Sequence, residues 1–132
     1  MTHRKLAKKL LLKADQDTLV LEKLKSDPEI ATEILGFHAQ QAAEKMLKAA
    51  LAYHQIKILF THRLTDLIDS LRDHGVVFPQ DLEEVRYLTP FAVEFRYSIL
   101  DEEDNEAFDV QASLALLKRL RQWVTAITDI SI

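Results

Sequence analysis

Residues 35–51 read LGFHAQQAAEKMLKAAL, and the spacing of their apolar positions decides the fold. At ~100° per residue, Leu35, Ala39, Ala42, Ala43, Met46, Leu47, Ala49 and Ala50 fall within one broad arc of a helix. Five of those eight are alanine, so a neighbouring helix can come close. The opposite arc carries His38, Gln40, Gln41, Glu44, Lys45 and Lys48, interrupted by Phe37 and Leu51. Gly36 costs about 1 kcal/mol relative to alanine inside a helix, which points to close packing or a functional approach.

Working outward, helical periodicity runs from end to end. A first helix is predicted from about Thr2 to Lys25, with Leu6, Leu10, Lys13, Asp17, Val20 and Leu24 stepping at threes and fours. Asp27 can cap the second helix and Pro28 fits its first position, so that helix reaches from there to Tyr53 or His54. Gln55 to Phe60 has strand-like composition but nothing to pair with, and is read as an extended loop. Thr61 caps a short third helix ending near Asp73, and Gly75 terminates it in the left-handed region. A fourth helix begins near Pro79 or Gln80, with Pro90 kinking or splitting it near Thr89. The last runs from about Asn105 to Ile127. Four long amphipathic helices and one short one, joined by short connections, make an all-α, antiparallel up-and-down bundle in a single domain over residues 1–132.

Composition agrees. The chain has no cysteine, which excludes disulfide scaffolds, thiol catalysis and cysteine-held metals. Two glycines and three prolines are too few turn residues for a β-sandwich or barrel. With 48% hydrophobic and 29% charged residues, disorder is excluded too. The longest apolar run is Ala49 to Tyr53, so no segment is expected to span a membrane and the expected compartment is the cytoplasm. The net charge of −4 gives no general affinity for nucleic acid. Its distribution is uneven: Arg4, Lys5, Lys8, Lys9 and Lys13 open the chain, whereas Asp101, Glu102, Glu103, Asp104 and Glu106 cluster late. Solvated faces account for both runs.

No Glu-x-x-His or His-Glu-x-x-His occurs, the five histidines share no ligand spacing, and no glycine-rich phosphate loop exists. No metal and no cofactor are therefore expected. Two stretches stand out. On the second helix, Gln40 and Gln41 beside His38 could recognise a base or another helix, set against the simpler reading of an exposed face with Glu44 paired to Lys48. In Tyr87 to Tyr97, Glu94 and Arg96 lie in a mostly apolar run, where an arginine needs a carboxylate partner or awaits a phosphate.

The strings FHAQQAAEKMLKAAL (Phe37–Leu51), THRLTDLIDSL (Thr61–Leu71) and YLTPFAVEFRYS (Tyr87–Ser98) together resemble the HEPN domain family, in the family's order and over nearly the whole chain. The resemblance implies a helical bundle, often a homodimer, and often encoded beside a small nucleotidyltransferase. Such pairs form toxin–antitoxin modules or two-part nucleotidyltransferases in which the helical subunit binds. Ribonuclease members carry Arg-x(4–6)-His. Here the positions that would follow Arg96 hold Asp101, Glu102 and Glu103, and no other arginine has a histidine at that spacing. Carboxylates there would repel an RNA backbone.

The leading expectation is therefore a non-catalytic, dimeric subunit that partners a nucleotidyltransferase and holds a nucleotide or RNA. Its candidate residues are Arg96, Tyr97, His38, Gln41, Lys45 and His62: Arg96 and Lys45 for phosphate, Tyr97 for stacking, the others for hydrogen bonds. By resemblance, Tyr97 is also a place where a partner enzyme could attach a nucleotide. The alternatives are a metal-independent ribonuclease toxin using Arg96 with His38 or His62, and a purely structural dimerisation bundle.

Overall fold

A computed structural model describes residues 2–91 and 108–131. Every regular element in them is helical, with no strand among the described residues. Helix α1 spans His3–Leu24, α2 Thr32–Tyr53 and α3 Leu64–Asp73; a 3-10 helix follows over Gln80–Phe91, and α4 spans Val110–Thr128. The expected helical bundle is present, and α2 is its axis. Thirteen of the 22 residues of α2 are buried, and α1, α3, α4 and the 3-10 helix all pack against it.

The eight-residue arc read from the sequence is buried throughout. Its alanines face the stripe Ala7, Leu11, Ala14 and Leu21 of α1, and α1 with α2 forms the most extensive contact in the molecule. That stripe lies one position from the one expected on α1. Leu6, Leu10 and Leu24 are only partly buried and flank the core, because the small Ala7 and Ala14 are what allow two backbones to close. Thr2 caps α1 by accepting the amide of Lys5.

Three helix starts differ from expectation, each for a local reason. The carboxylate of Asp27 accepts the amide of Glu29 at 2.9 Å and closes a turn, and Ala31 is extended at ψ 140°, so α2 begins at Thr32 rather than Pro28. Thr61 accepts the amide of Arg63 at 3.0 Å in a turn of its own, so α3 begins at Leu64. Asp109 caps α4 by accepting the amide of Ala112, which places its start at Val110 rather than Asn105; residue 105 and the acidic segment 101–106 lie outside the described residues. At the other end of α3, Gly75 takes φ +87° as expected of a left-handed terminator.

The fourth helix is 3-10 rather than α, and continues through Pro90 to Phe91. Its buried residues Leu82, Val85 and Leu88 recur every three positions. Three residues per turn puts them on one stripe and eclipses i with i+3. The same eclipsing brings Arg86 onto Glu83, while Arg72 of α3 binds Glu83 from the other side. The Arg86 hydrogen bond holds the Glu83 carboxyl below its ordinary value of 4.5, with Arg72 adding to it against a smaller effect of desolvation.

Helix α4 is tied to α1 through its C-terminal half. Arg121 is almost fully buried and donates from Nε and Nη2 to the two oxygens of Asp15 at 2.9 and 3.2 Å, and Arg4 donates to the carbonyl of Thr128 at 3.1 Å. On the side of the Asp15–Arg121 pair away from Arg4, the two helices line a groove of about 430 Å³ whose lining includes Met46, Leu114 and Leu117. No helix among the described residues is long and apolar enough to cross a membrane.

Candidate functional site

One side of α2 carries the polar residues that the alanine arc leaves over. Two carboxylates organise them. Asp17 of α1, buried on the flank of the α1–α2 contact, divides its oxygens: Oδ1 accepts from His38 Nδ1 at 2.9 Å, and Oδ2 from Lys45 Nζ. One turn further along, Glu44 Oε1 accepts from His62 Nδ1 at 2.8 Å and from Gln40 Nε2 at 2.9 Å, while Oε2 accepts from Lys48 Nζ at 2.9 Å. Gln40 is fully buried and completely engaged. Its amide nitrogen also donates to the carbonyl of His62 at 3.1 Å, and its oxygen accepts from Gln41 at 2.8 Å.

A carboxylate only accepts, so the Nδ1 of each histidine carries the proton of its bond. The Nε2 of each ring is left facing away, without a partner among the described residues. Residues three and four apart are neighbours on a helix surface, so His38, Gln41, Lys45 and Lys48 form one continuous seam, with His62 docked beside it. The site can donate to phosphate oxygens from lysines and protonated imidazoles, and can pass a proton at two ring nitrogens. Among the described residues, no group of three His, Asp or Glu side chains comes together as a metal site needs.

Burial raises the affinity of Glu44 for a proton, but hydrogen bonds from Gln40, His62 and Lys48, with the charge of Lys48, outweigh it and hold the carboxyl below its ordinary 4.5. The Glu44–Lys48 pair anticipated from the sequence is thus real. The face that carries it is not simply an exposed one, because Gln40 and Glu44 turn inward.

Of the six sequence candidates, His38 and Lys45 meet on Asp17, and Gln41 and His62 join through Gln40 and Glu44. Arg96 and Tyr97 lie outside the described residues, as do Asp101, Glu102 and Glu103. The anchors Asp17 and Glu44 were missed as site residues. Asp17 had a signal: it is the one acid on the stepped face of α1, and an acid there needs a partner. Of the remaining three histidines, His3 lies edge-on to Tyr53 and the other two bond to their own helices. His54 donates to the carbonyl of Ala50 and His74 to that of Ser70, each on its own helix end.

A family model described as the HEPN domain matches residues 7–127, nearly the whole chain. No curated protein and no solved structure matches.

Because Glu44 releases its proton more readily folded than unfolded, its stabilisation is complete above about pH 4.5 and is lost as pH falls through its lower folded value. Glu44→Gln should cost about 1.5–3 kcal/mol at neutral pH, the worth of charge-assisted hydrogen bonds. Thermal melts from pH 7 to 3 should show the wild type losing stability below pH 4.5 more steeply than the variant. Glu83 keeps some slope in both, and parallel curves would contradict the assignment.

Proposed function

The chain belongs to the HEPN domain family, and from that premise we propose that it is the nucleotide-binding, partner-binding subunit of a two-part nucleotidyltransferase or toxin–antitoxin module. Membership supports a nucleotide- or RNA-related or toxin-like role in general. The observation that carries the finer reading is the seam on α2, where two carboxylates hold two imidazoles with Nε2 outward beside Lys45 and Lys48. A phosphate accepts from the two lysines, and from each Nε2 when its ring is the imidazolium, and Gln41 is placed to hydrogen-bond a base or sugar edge. In this reading Arg96 supplies a further cation and Tyr97 a stacking ring or a site of nucleotide attachment. A neighbouring open reading frame with a nucleotidyltransferase motif, and co-purification of its product, would support the partner.

The nucleotide reading is tested by titrating the protein with a fluorescent ATP analogue. His38→Ala and His62→Ala should each weaken binding by about 10- to 150-fold, the equivalent of one hydrogen bond of about 1.5–3 kcal/mol to a charged group. Wild-type affinity in both variants would end the reading.

The dyads also favour a second reading. A histidine oriented by a carboxylate is the arrangement a general base requires, so a ribonuclease using His38 or His62 with Arg96 is the competing function. The acids at positions 101–103 argue against it. Metal-free protein should leave mixed RNA intact. Cleavage that disappears in both His62→Ala and Arg96→Ala would instead establish the toxin reading.

We propose further that the protein acts as a homodimer through the groove between α1 and α4. Leu19 lines it at 45% exposed, and Leu12, one heptad earlier on α1, is 58% exposed. Glu22 rims the groove on α1 and Lys118 on α4, while Asp15 is already held by Arg121. A two-fold axis sets Glu22 of one copy against Lys118 of the other, twice, with Leu19 entering the opposite groove. Light scattering should give twice the 15.2 kDa chain mass, falling to one chain in Leu19→Asp. A wild-type monomer at high concentration would exclude the dimer.

A further inference from the structure

Phe60 is the most exposed large hydrophobic side chain among the described residues, at 110% of its reference area. Leaving a phenylalanine in water forgoes the burial free energy that the rest of this loop collects. Ile56 is in the core, and Ile58 and Leu59 pack against it. The segment Ile56-Lys57-Ile58-Leu59-Phe60 therefore turns its aliphatic residues inward and its one aromatic outward.

The loop is held firmly at both sides of that ring. The amide of Ile56 donates to the carbonyl of Leu51 at 2.9 Å, and the carbonyl of His62 accepts from the buried Gln40. Thr61 donates to Asp66 at 3.2 Å while accepting from the amide of Arg63. An aromatic ring on a pinned loop gives up little conformational freedom on binding.

Cations flank Phe60 in the chain, beside one exposed carboxylate, Asp66, that Thr61 binds. Residues 57–63 contain Lys57, Arg63 and His62 and no carboxylate, in a chain of net charge −4. Lys57 is exposed with no ion-pair partner among the described residues, and Arg63 is 65% exposed with only a 3.9 Å approach to Asp66. A protein hot spot surrounds its aromatic anchor with further contacts that exclude water, and this loop exposes no second large hydrophobic side chain. A nucleobase needs only the π-face, with cations for the flanking phosphates.

We propose that Phe60 is a stacking platform for an unpaired nucleobase, with Lys57 and Arg63 holding adjacent phosphates and His62 joining this platform to the seam on α2. The inference rests on the nucleotide-binding reading and deepens it. Stacking requires a base whose face is free, so a single strand or a free nucleotide qualifies and a duplex does not.

The test is fluorescence anisotropy with a labelled single-stranded RNA of about 12 nucleotides, the same sequence as a duplex, and AMP as competitor. The single strand should bind better than the duplex. Phe60→Ala should weaken single-strand binding about 5- to 100-fold with an unchanged melting temperature, since the ring lies in solvent. Phe60→Trp should restore it. Displacement by AMP identifies a free nucleotide as the ligand; resistance to it identifies a polynucleotide; either supports the platform. Wild-type affinity in Phe60→Ala, or equal affinity for the duplex, overturns the inference while leaving the nucleotide reading intact. Failure of the wild type to bind the single strand, AMP and the fluorescent ATP analogue overturns both.

Discussion

The close approach of α1 to α2 is the constraint on which the rest of the molecule depends. Alanines on both helices let the backbones meet, and that contact draws α2 into the centre, where α3, α4 and the 3-10 helix also pack on it. A helix surrounded in this way cannot keep a whole polar face in water. Gln40 and Glu44 are taken inside, where an unpaired amide or carboxylate would cost several kcal/mol. Their hydrogen bonds are therefore obligatory. The functional seam is what those obligations leave at the surface.

The energetics of the seam follow from how its charges are shared. Each carboxylate serves two or three donors, so each lysine and histidine is oriented without consuming a carboxylate of its own. Exposed ion pairs contribute little because flexible side chains must be ordered in high dielectric. Lys48 and Glu44 differ in being mostly shielded from solvent, at 17% and 6% side-chain exposure, so breaking the pair would leave a buried charge unpaired and cost more. The cost of that burial shows in Glu44 itself, where desolvation opposes the hydrogen bonds that finally prevail.

Much of the fold was legible because alanine spacing and helical period are local properties. The burial of the alanine-rich arc of α2, the loop after α2 and the terminator Gly75 were all readable in this way. The 3-10 helix was not seen, although Leu82, Val85 and Leu88 repeat at three, because a three-residue step is also compatible with an α-helical face. Helix starts slipped where a side chain chose a turn over a cap, as Asp27 and Thr61 do. In the site, residue types were readable but their pairings were not. Asp17 reaches His38 across 21 positions and Lys45 across 28, and nothing in spacing alone links them.

The carboxylate that completes the core also holds the loop that bears His62 and Phe60. Through Glu44 and Gln40, the fold and the position of that loop are parts of one network. A ligand that binds only the folded form stabilises it by mass action, and here the stabilised contacts include the interior of α2. The converse also holds: a substitution at Glu44 disturbs packing and recognition together, so its effect on binding cannot be divided between them. Phe60 stands outside this network, with its ring in water and only its backbone neighbours engaged. Nature of contact, rather than distance from the seam, is what separates the two residues: one is bound to the fold by every polar atom it has, and the other by none of its side chain.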